Sequence, residues 1–336
     1  MKENAGNSGA ENFYCKLAKG ENLSILIVGD SIGCGAGAST GDRTWVSMLQ
    51  GYLEAQYKAK IKLTNVSLGG NTSYAGYVSV MALDDDTAYD LAVVCYGQND
   101  APERFALFYE TILYALLQRY PGCSVISILE SSQQTYTEKI EEIRKICADW
   151  KIPCADMIRA FQESSMSMRE LTTDDVHPND IGQQIYYETL KAMIDGFVRQ
   201  DGGQTGIMHA GSRCMDQFRH FVKYEVNEEK GFTRKDPVTF LLRTAERGLL
   251  GIDYTYVPGE NRADVYVDGM LWQTLEVSFN YNFSQRHIQT VRYDECRVER
   301  EIKIVFLNKE QAEGFGGVFF SRKQSGSDGR GEAVLS

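Results

Sequence analysis

The stretch Leu23–Gly37, LSILIVGDSIGCGAG, decides the fold. An apolar run of strand length, rich in branched residues, breaks off at Gly29-Asp30-Ser31. A short apolar run closed by a glycine turn reads as a buried strand of an α/β sheet. Open sheets of that class bind their ligands beyond the carboxyl ends of the strands, where following turns and helices offer backbone N–H groups. Ser31 therefore stands where a nucleophile would be delivered. Gly, Asp and Ser are also ordinary turn residues, so the reading depends on a base, an orienting acid and oxyanion donors elsewhere in the chain.

Outward from this strand, short apolar runs alternate with amphipathic stretches up to about residue 200. That alternation is the mark of βαβ units and a mostly parallel sheet. The pattern predicts strands over Leu23–Val28, Ile61–Ser67, Leu91–Tyr96 and Ser124–Leu129, with a short one near Pro153–Asp156. Helices are expected over Trp45–Tyr57, Glu103–Arg119, Thr135–Trp150 and Ile181–Val198. Ile140, Ile143, Ile146 and Trp150 fall at spacings of three and four and make one core-facing stripe. The expected fold is flavodoxin-like, three layers α/β/α around a parallel five-stranded sheet.

The segment Arg199–Gly206 is polar and glycine-rich, and the period changes after it. Val265 and Val267 alternate with Tyr266, Asp268-Gly269 supplies a hairpin turn, and Ile302, Ile304 and Phe306 repeat the two-residue period. We therefore expect a hydrolase-type α/β domain over residues 1–200 and an all-β domain of β-sandwich or jelly-roll type over 207–323. A disordered tail is expected over 324–336.

The 336 residues are 43% hydrophobic and 24% charged, an ordinary globular composition, and carry a formal net charge of -11. No basic stripe is present to displace counterions from phosphates or to adsorb on anionic lipid, so neither a nucleic acid nor a membrane is expected as partner. The N-terminus lacks an apolar signal region and no run reaches the length of a membrane span, so the sequence as written reads as cytoplasmic, although a secreted chain lacking its leader would look the same. Cysteines 15, 34, 95, 123, 147, 154, 214 and 296 are scattered without a C-x-x-C pair. Neither a metal site nor a redox motif is indicated, and no cofactor is called for.

Three further segments carry chemistry. In Asp174-Asp175-Val176-His177-Pro178-Asn179, a carboxylate three residues ahead of the histidine can reach Nδ1, fix the tautomer and leave Nε2 as a general base. His177 is the only histidine of the expected α/β domain. A helix cap with a surface histidine is the plainer alternative, and Asp175 competes with Asp174. In Asn65-Val66-Ser67-Leu68-Gly69-Gly70-Asn71-Thr72, a glycine N–H can approach a reacting carbonyl closely, with Gly69 and Gly70 both eligible. In Gly97-Gln98-Asn99-Asp100, a side-chain amide at a strand end can point an N–H at the same oxygen. Each segment alone also reads as a turn. Cys34, three residues after Ser31, reads as a packed cysteine.

Taken together and in order, GDSIG, NVSLGGNT, GQND and DDVHPN resemble the four blocks of the SGNH hydrolase superfamily, the GDSL-type esterases and lipases, over roughly residues 23–198. The resemblance implies Ser31 as nucleophile, His177 as base and Asp174 as its partner. It also implies an oxyanion hole formed by the Ser31 and Gly70 amides and the Asn99 side chain. It further implies a serine esterase acting by acyl transfer to water, without metal or organic cofactor. Several carbohydrate esterases of this superfamily carry an added β domain, so the expected substrate is an O-acetylated glycan or oligosaccharide. A lysophospholipase, thioesterase or arylesterase is the alternative enzyme, and a glycan-binding protein the alternative outside catalysis. Trp272, Tyr254, Tyr256, Tyr266 and Tyr281 are candidate sugar platforms. The sequence leaves open whether the β domain binds glycan, shapes the cleft or mediates homo-oligomer formation.

Overall fold

The computed structural model describes residues 11–84, 86–130, 133–200, 218, 220–226, 230–277 and 283–322. These cluster into two compact units, with residues 287–289 counted in the first.

The first unit is built on five parallel strands, β1 (Leu23–Gly29), β2 (Ile61–Asn65), β3 (Leu91–Cys95), β4 (Ser124–Leu129) and β5 (Cys154–Asp156), in the order β2-β1-β3-β4-β5. The α/β reading is thus correct. β3 and β4 are buried at every position, which is why they read as continuous apolar runs. Ile25 and Ile27 of β1, Leu91 and Val93 of β3, and Ile126 and Ile128 of β4 share one core with helices α1 (Phe13–Ala18), α2 (Trp45–Tyr57) and α8 (Asp180–Arg199). Helices α3 (Ser73–Met81), α4 (Phe105–Arg119) and α5 (Glu138–Asp149) pack in sequence, α3 on β1 and on α4, α4 on α5. Two short helices, α6 (Met157–Glu163) and α7 (Met168–Leu171), lead into the chain before α8.

The expected boundaries shift where caps or turns intervene. Thr137 accepts the Ile140 N–H, so α5 starts at Glu138 rather than Thr135. β2 ends at Asn65 rather than Ser67: the Asn65 carboxamide accepts the Ser67 N–H and turns the chain, although the Val66 and Leu68 N–H groups still donate to Ile27 O and Gly29 O of β1. Helix α3 was not expected; seven of its nine residues are buried, so no polar face marks a period. α1, α6 and α7 are too short to show one.

The second unit is two β-sheets with one short helix, α9 (Lys309–Glu313). One sheet has the order β11-β10-β13-β8-β7, with β7 (Thr233–Arg234), β8 (Thr239–Arg243), β10 (Asn261–Val267), β11 (Met270–Val277) and β13 (Glu301–Phe306). The other has the order β12-β9-β14-β6, with β6 (His220–Tyr224), β9 (Glu246–Tyr256), β12 (Gln285–Val298) and β14 (Gly317–Arg322). Phe240, Val265, Ile302 and Ile304 of the first sheet share a core with Leu250, Ile252, Val318 and Phe320 of the second, so the sheets form a sandwich. The β10–β11 hairpin turns at Asp268-Gly269, both at positive φ (50° and 87°), as its sequence predicts. The linker expected at Arg199–Gly206 lies, beyond Gln200, outside the described residues, as does the tail over 324–336.

Candidate active site

Ser31 follows β1 directly and opens a tight turn. The Asp30 N–H donates to the Cys95 carbonyl at 3.1 Å, the Cys34 N–H returns to Asp30 O at 3.0 Å, and the Ala36 N–H to Ser31 O at 2.9 Å. From the side, the Trp45 indole donates to Ile32 O at 3.0 Å and the Asn65 amide to Gly33 O at 2.9 Å. The serine is thus held at the carboxyl edge of the sheet on a turn fixed at both ends.

The segment before α8 is a closed loop. Thr173 N–H donates to His177 O at 2.9 Å, and Thr172 and Pro178 form an isolated antiparallel bridge. Asp175 takes the left-handed conformation (φ 65°) at its tip. Asp174 Oδ2 stands 2.7 Å from His177 Nδ1, and His177 Nε2 stands 2.9 Å from Ser31 Oγ. Asp174 Oδ1 accepts the His177 and Val176 N–H groups at 2.8 and 3.2 Å. Burial raises the Asp174 carboxyl, but these two amides and the imidazole outweigh it and hold it below the usual carboxylate range. The structure pairs Asp174 with the histidine; Asp175 only turns the chain.

Gly69 and Gly70 are also distinguished. The Gly69 N–H donates to the Cys34 sulfur, whereas the Gly70 N–H meets no acceptor among the described residues, and neither does that of Ser31. Gly70 has φ 66°, a conformation that favours glycine. Asn99 Nδ2 donates to Asn71 O at 3.0 Å and reaches Asp30 Oδ2 only at 3.4 Å, so one of its two N–H bonds is fixed and the other loosely held. Asp100, next in sequence, is tied to the start of α3 by accepting from Ser73 N–H and hydroxyl.

Residues 27–185 match the model of the GDSL-like lipase/acylhydrolase family. Over that stretch the chain is similar to the GDSL-like lipase/acylhydrolase family. No curated protein sequence matches the chain. Among solved structures, a two-domain esterase (CEX) active on acetylated mannans matches at TM-score 0.74 and 16% identity, over 92% of this chain and 94% of that one. The same esterase co-crystallised with mannopentaose matches at TM-score 0.73 and 16% identity, over 93% and 94%. These likenesses extend through both units of the chain. The acetylxylan esterase Axe2 from Geobacillus stearothermophilus matches at TM-score 0.44 and 19% identity, over 53% of this chain and 96% of that one.

The first unit also places at the site residues that sequence reading missed. Gln183, fully buried on α8, donates through Nε2 to Ala36 O and Pro178 O, both at 3.1 Å, and accepts the Trp45 N–H at 2.9 Å. One side chain thereby joins the serine turn, the histidine loop and the start of α2. Only its position four residues after the Asn179 cap would have singled it out, and a polar residue on an amphipathic helix ordinarily faces water. Asp180 accepts from Ser39 N–H and Oγ at 2.8 and 2.7 Å, a second tie between the same segments. Cys34 is exposed rather than packed. Its sulfur nonetheless sits close enough to protein that burial pushes the thiol up to about 11. It is no rival nucleophile at neutral pH.

In the β unit, two of the five expected sugar platforms are corrected. Tyr254 and Tyr256 are 5% and 1% exposed, because β9 turns them inward. Trp272 has the Arg292 guanidinium 5.4 Å from its ring centre, and Tyr266 has Lys303 Nζ at 4.1 Å. Tyr281 lies outside the described residues.

Proposed function

We propose that the protein is a carbohydrate O-acetylesterase in which Ser31, His177 and Asp174 act as the catalytic triad. The observation that carries this reading is the unbroken chain from Asp174 Oδ2 through His177 to Ser31 Oγ, at 2.7 and 2.9 Å. His177 Nε2 takes the hydroxyl proton as Oγ attacks the acetyl carbonyl; Asp174 stabilises the imidazolium that forms. The Ser31 and Gly70 amides and the loosely held Asn99 N–H receive the negative oxygen of the tetrahedral intermediate, each worth about 3 kcal/mol of barrier. Collapse expels the sugar oxygen, which takes the proton from His177 and leaves as the hydroxyl, and water then hydrolyses the acetyl-serine by the same relay.

An acetylated glycan as substrate is supported by the resemblance of both units to an esterase active on acetylated mannans. Ser31→Ala is expected to lower kcat/KM on 4-nitrophenyl acetate by about 10⁴-fold or more. Full activity in that variant would overturn the assignment of Ser31, and a preference for long-chain lipid esters over acetylated mannan or xylan would overturn the substrate class.

A further inference from the structure

Asp30, Cys95 and Glu130 lie at the carboxyl ends of three neighbouring strands, β1, β3 and β4, and all are fully buried. The Cys95 thiol donates to Glu130 Oε2 at 2.9 Å, while Glu130 Oε1 meets no N–H or hydroxyl donor among the described residues. Cys95 joins the two acids: its carbonyl accepts the Asp30 N–H and its thiol donates to Glu130, so the Asp30 and Glu130 carboxyls are buried neighbours across the end of β3. Two carboxyl groups so placed favour keeping a proton on the pair, since a charge on both would be repulsive in a dry interior.

The other contacts of Asp30 reach the active site. Its Oδ1 accepts the Ile32 N–H at 3.0 Å, just after the proposed nucleophile, and its Oδ2 is the 3.4 Å neighbour of Asn99 Nδ2. An ionised Asp30 would draw that N–H into a shorter, charge-assisted bond of roughly twice the strength. A neutral one leaves it to the substrate.

We propose that Glu130 is a positioning residue: by accepting a hydrogen bond from protonated Asp30 it keeps Asp30 uncharged and leaves the second Asn99 N–H available to the oxyanion. This rests on the reading of Ser31, His177 and Asn99 given above.

The groups facing the pair are Cys95, Tyr96 and Asp100 around the end of β3, Cys34 in the serine turn, Tyr186 on α8 and Lys139 on α5. Lys139 is the only cation among them, and its Nζ is engaged by Asp100 O at 2.8 Å and Gln98 O at 3.4 Å. Burial first, with Asp100 adding to it, raises both carboxyls of the pair, which favours retention of the shared proton.

The test compares wild type, Ser31→Ala, Glu130→Gln and the double variant Asp30→Asn/Glu130→Gln on 4-nitrophenyl acetate between pH 5 and 8. A glutamine amide would donate to Asp30 and stabilise its charge. Glu130→Gln should therefore lower kcat about tenfold at pH 8 with KM within about twofold, and its kcat relative to wild type should recover as pH falls. The double variant, which carries no charge at either position, should regain kcat to within about threefold and lose that pH dependence. A pH-independent loss in Glu130→Gln, or a double variant no better than the single one, would overturn the proposal. Should Glu130→Gln not fold, infrared spectra of wild type at pH 7 still decide: a protonated-carboxyl band that Asp30→Asn removes supports the shared proton, and its absence refutes it. If wild type shows no turnover dependent on Ser31, the reading of the site fails separately, while the infrared result still tests the pair.

Discussion

Ser31 and His177 are 146 residues apart in sequence and 2.9 Å apart at the reacting atoms. Both were legible because each sits beside a recognisable break: the glycine turn after a buried strand, and a histidine held out of the helix by Pro178 and the Asn179 cap. Between Asp174 and Asp175 the sequence already favoured Asp174, which stands three residues ahead of His177 as in the motif it resembles. In the structure Asp174 meets His177 Nδ1, while Asp175 takes the left-handed conformation at the loop tip. Gln183 and Glu130 were invisible for another reason: their importance lies in partners from distant segments, and neither breaks a local pattern. Asp174 is 54% exposed, so its contribution is to orient the imidazole more than to supply an isolated charge. Asp174→Asn, whose amide can donate to Nδ1 and leave the proton on Nε2, is expected to lower kcat by about 10³-fold or more with little change in KM, measured by steady-state kinetics.

At the scale of elements, the site depends on how the turn after β1 meets the loop before α8. The strands and the long helices were readable because they are either buried throughout or amphipathic over several turns. α3 was not, because burial on nearly all sides removes the period. Gly37 marks the meeting point: at φ 93°, a Cβ there would lie 2.3 Å from Pro178 O and 2.9 Å from His177 O. Gly37→Ala must therefore push back the backbone that carries the histidine. We expect it to lower kcat about tenfold or more while the protein remains folded by circular dichroism, since small displacements of a catalytic group are costly. The strand ends bearing Asp30 and Glu130 give a stability prediction. Carboxyls raised in the folded state hold a proton that the unfolded chain has released, so their stabilisation is full below the ordinary carboxylate pKa of about 4 and is lost as pH rises toward the folded values. The Tm of wild type should fall between pH 5 and 8 more than that of Asp30→Asn/Glu130→Gln, as followed by calorimetry. Equal slopes would contradict it.

For the whole molecule, the change from a mixed α/β pattern to two-residue alternation was enough to separate an α/β unit from a β-sandwich. The sandwich's own chemistry was much less legible, because an aromatic on a strand reads alike whether it faces the core, as Tyr254 and Tyr256 do, or the outside. Among the described residues no helix is long and apolar enough to cross a membrane. The central claim concerns the ester that Ser31 attacks. Its most direct test is acetate release from acetylated mannan and acetylated xylan by the full-length protein, beside hydrolysis of a long-chain lipid ester, with Ser31→Ala as control. The account predicts acetate release from at least one of the glycans, at a rate well above lipid ester hydrolysis, and its loss in Ser31→Ala; no release from either glycan, or release that persists in the variant, would contradict it.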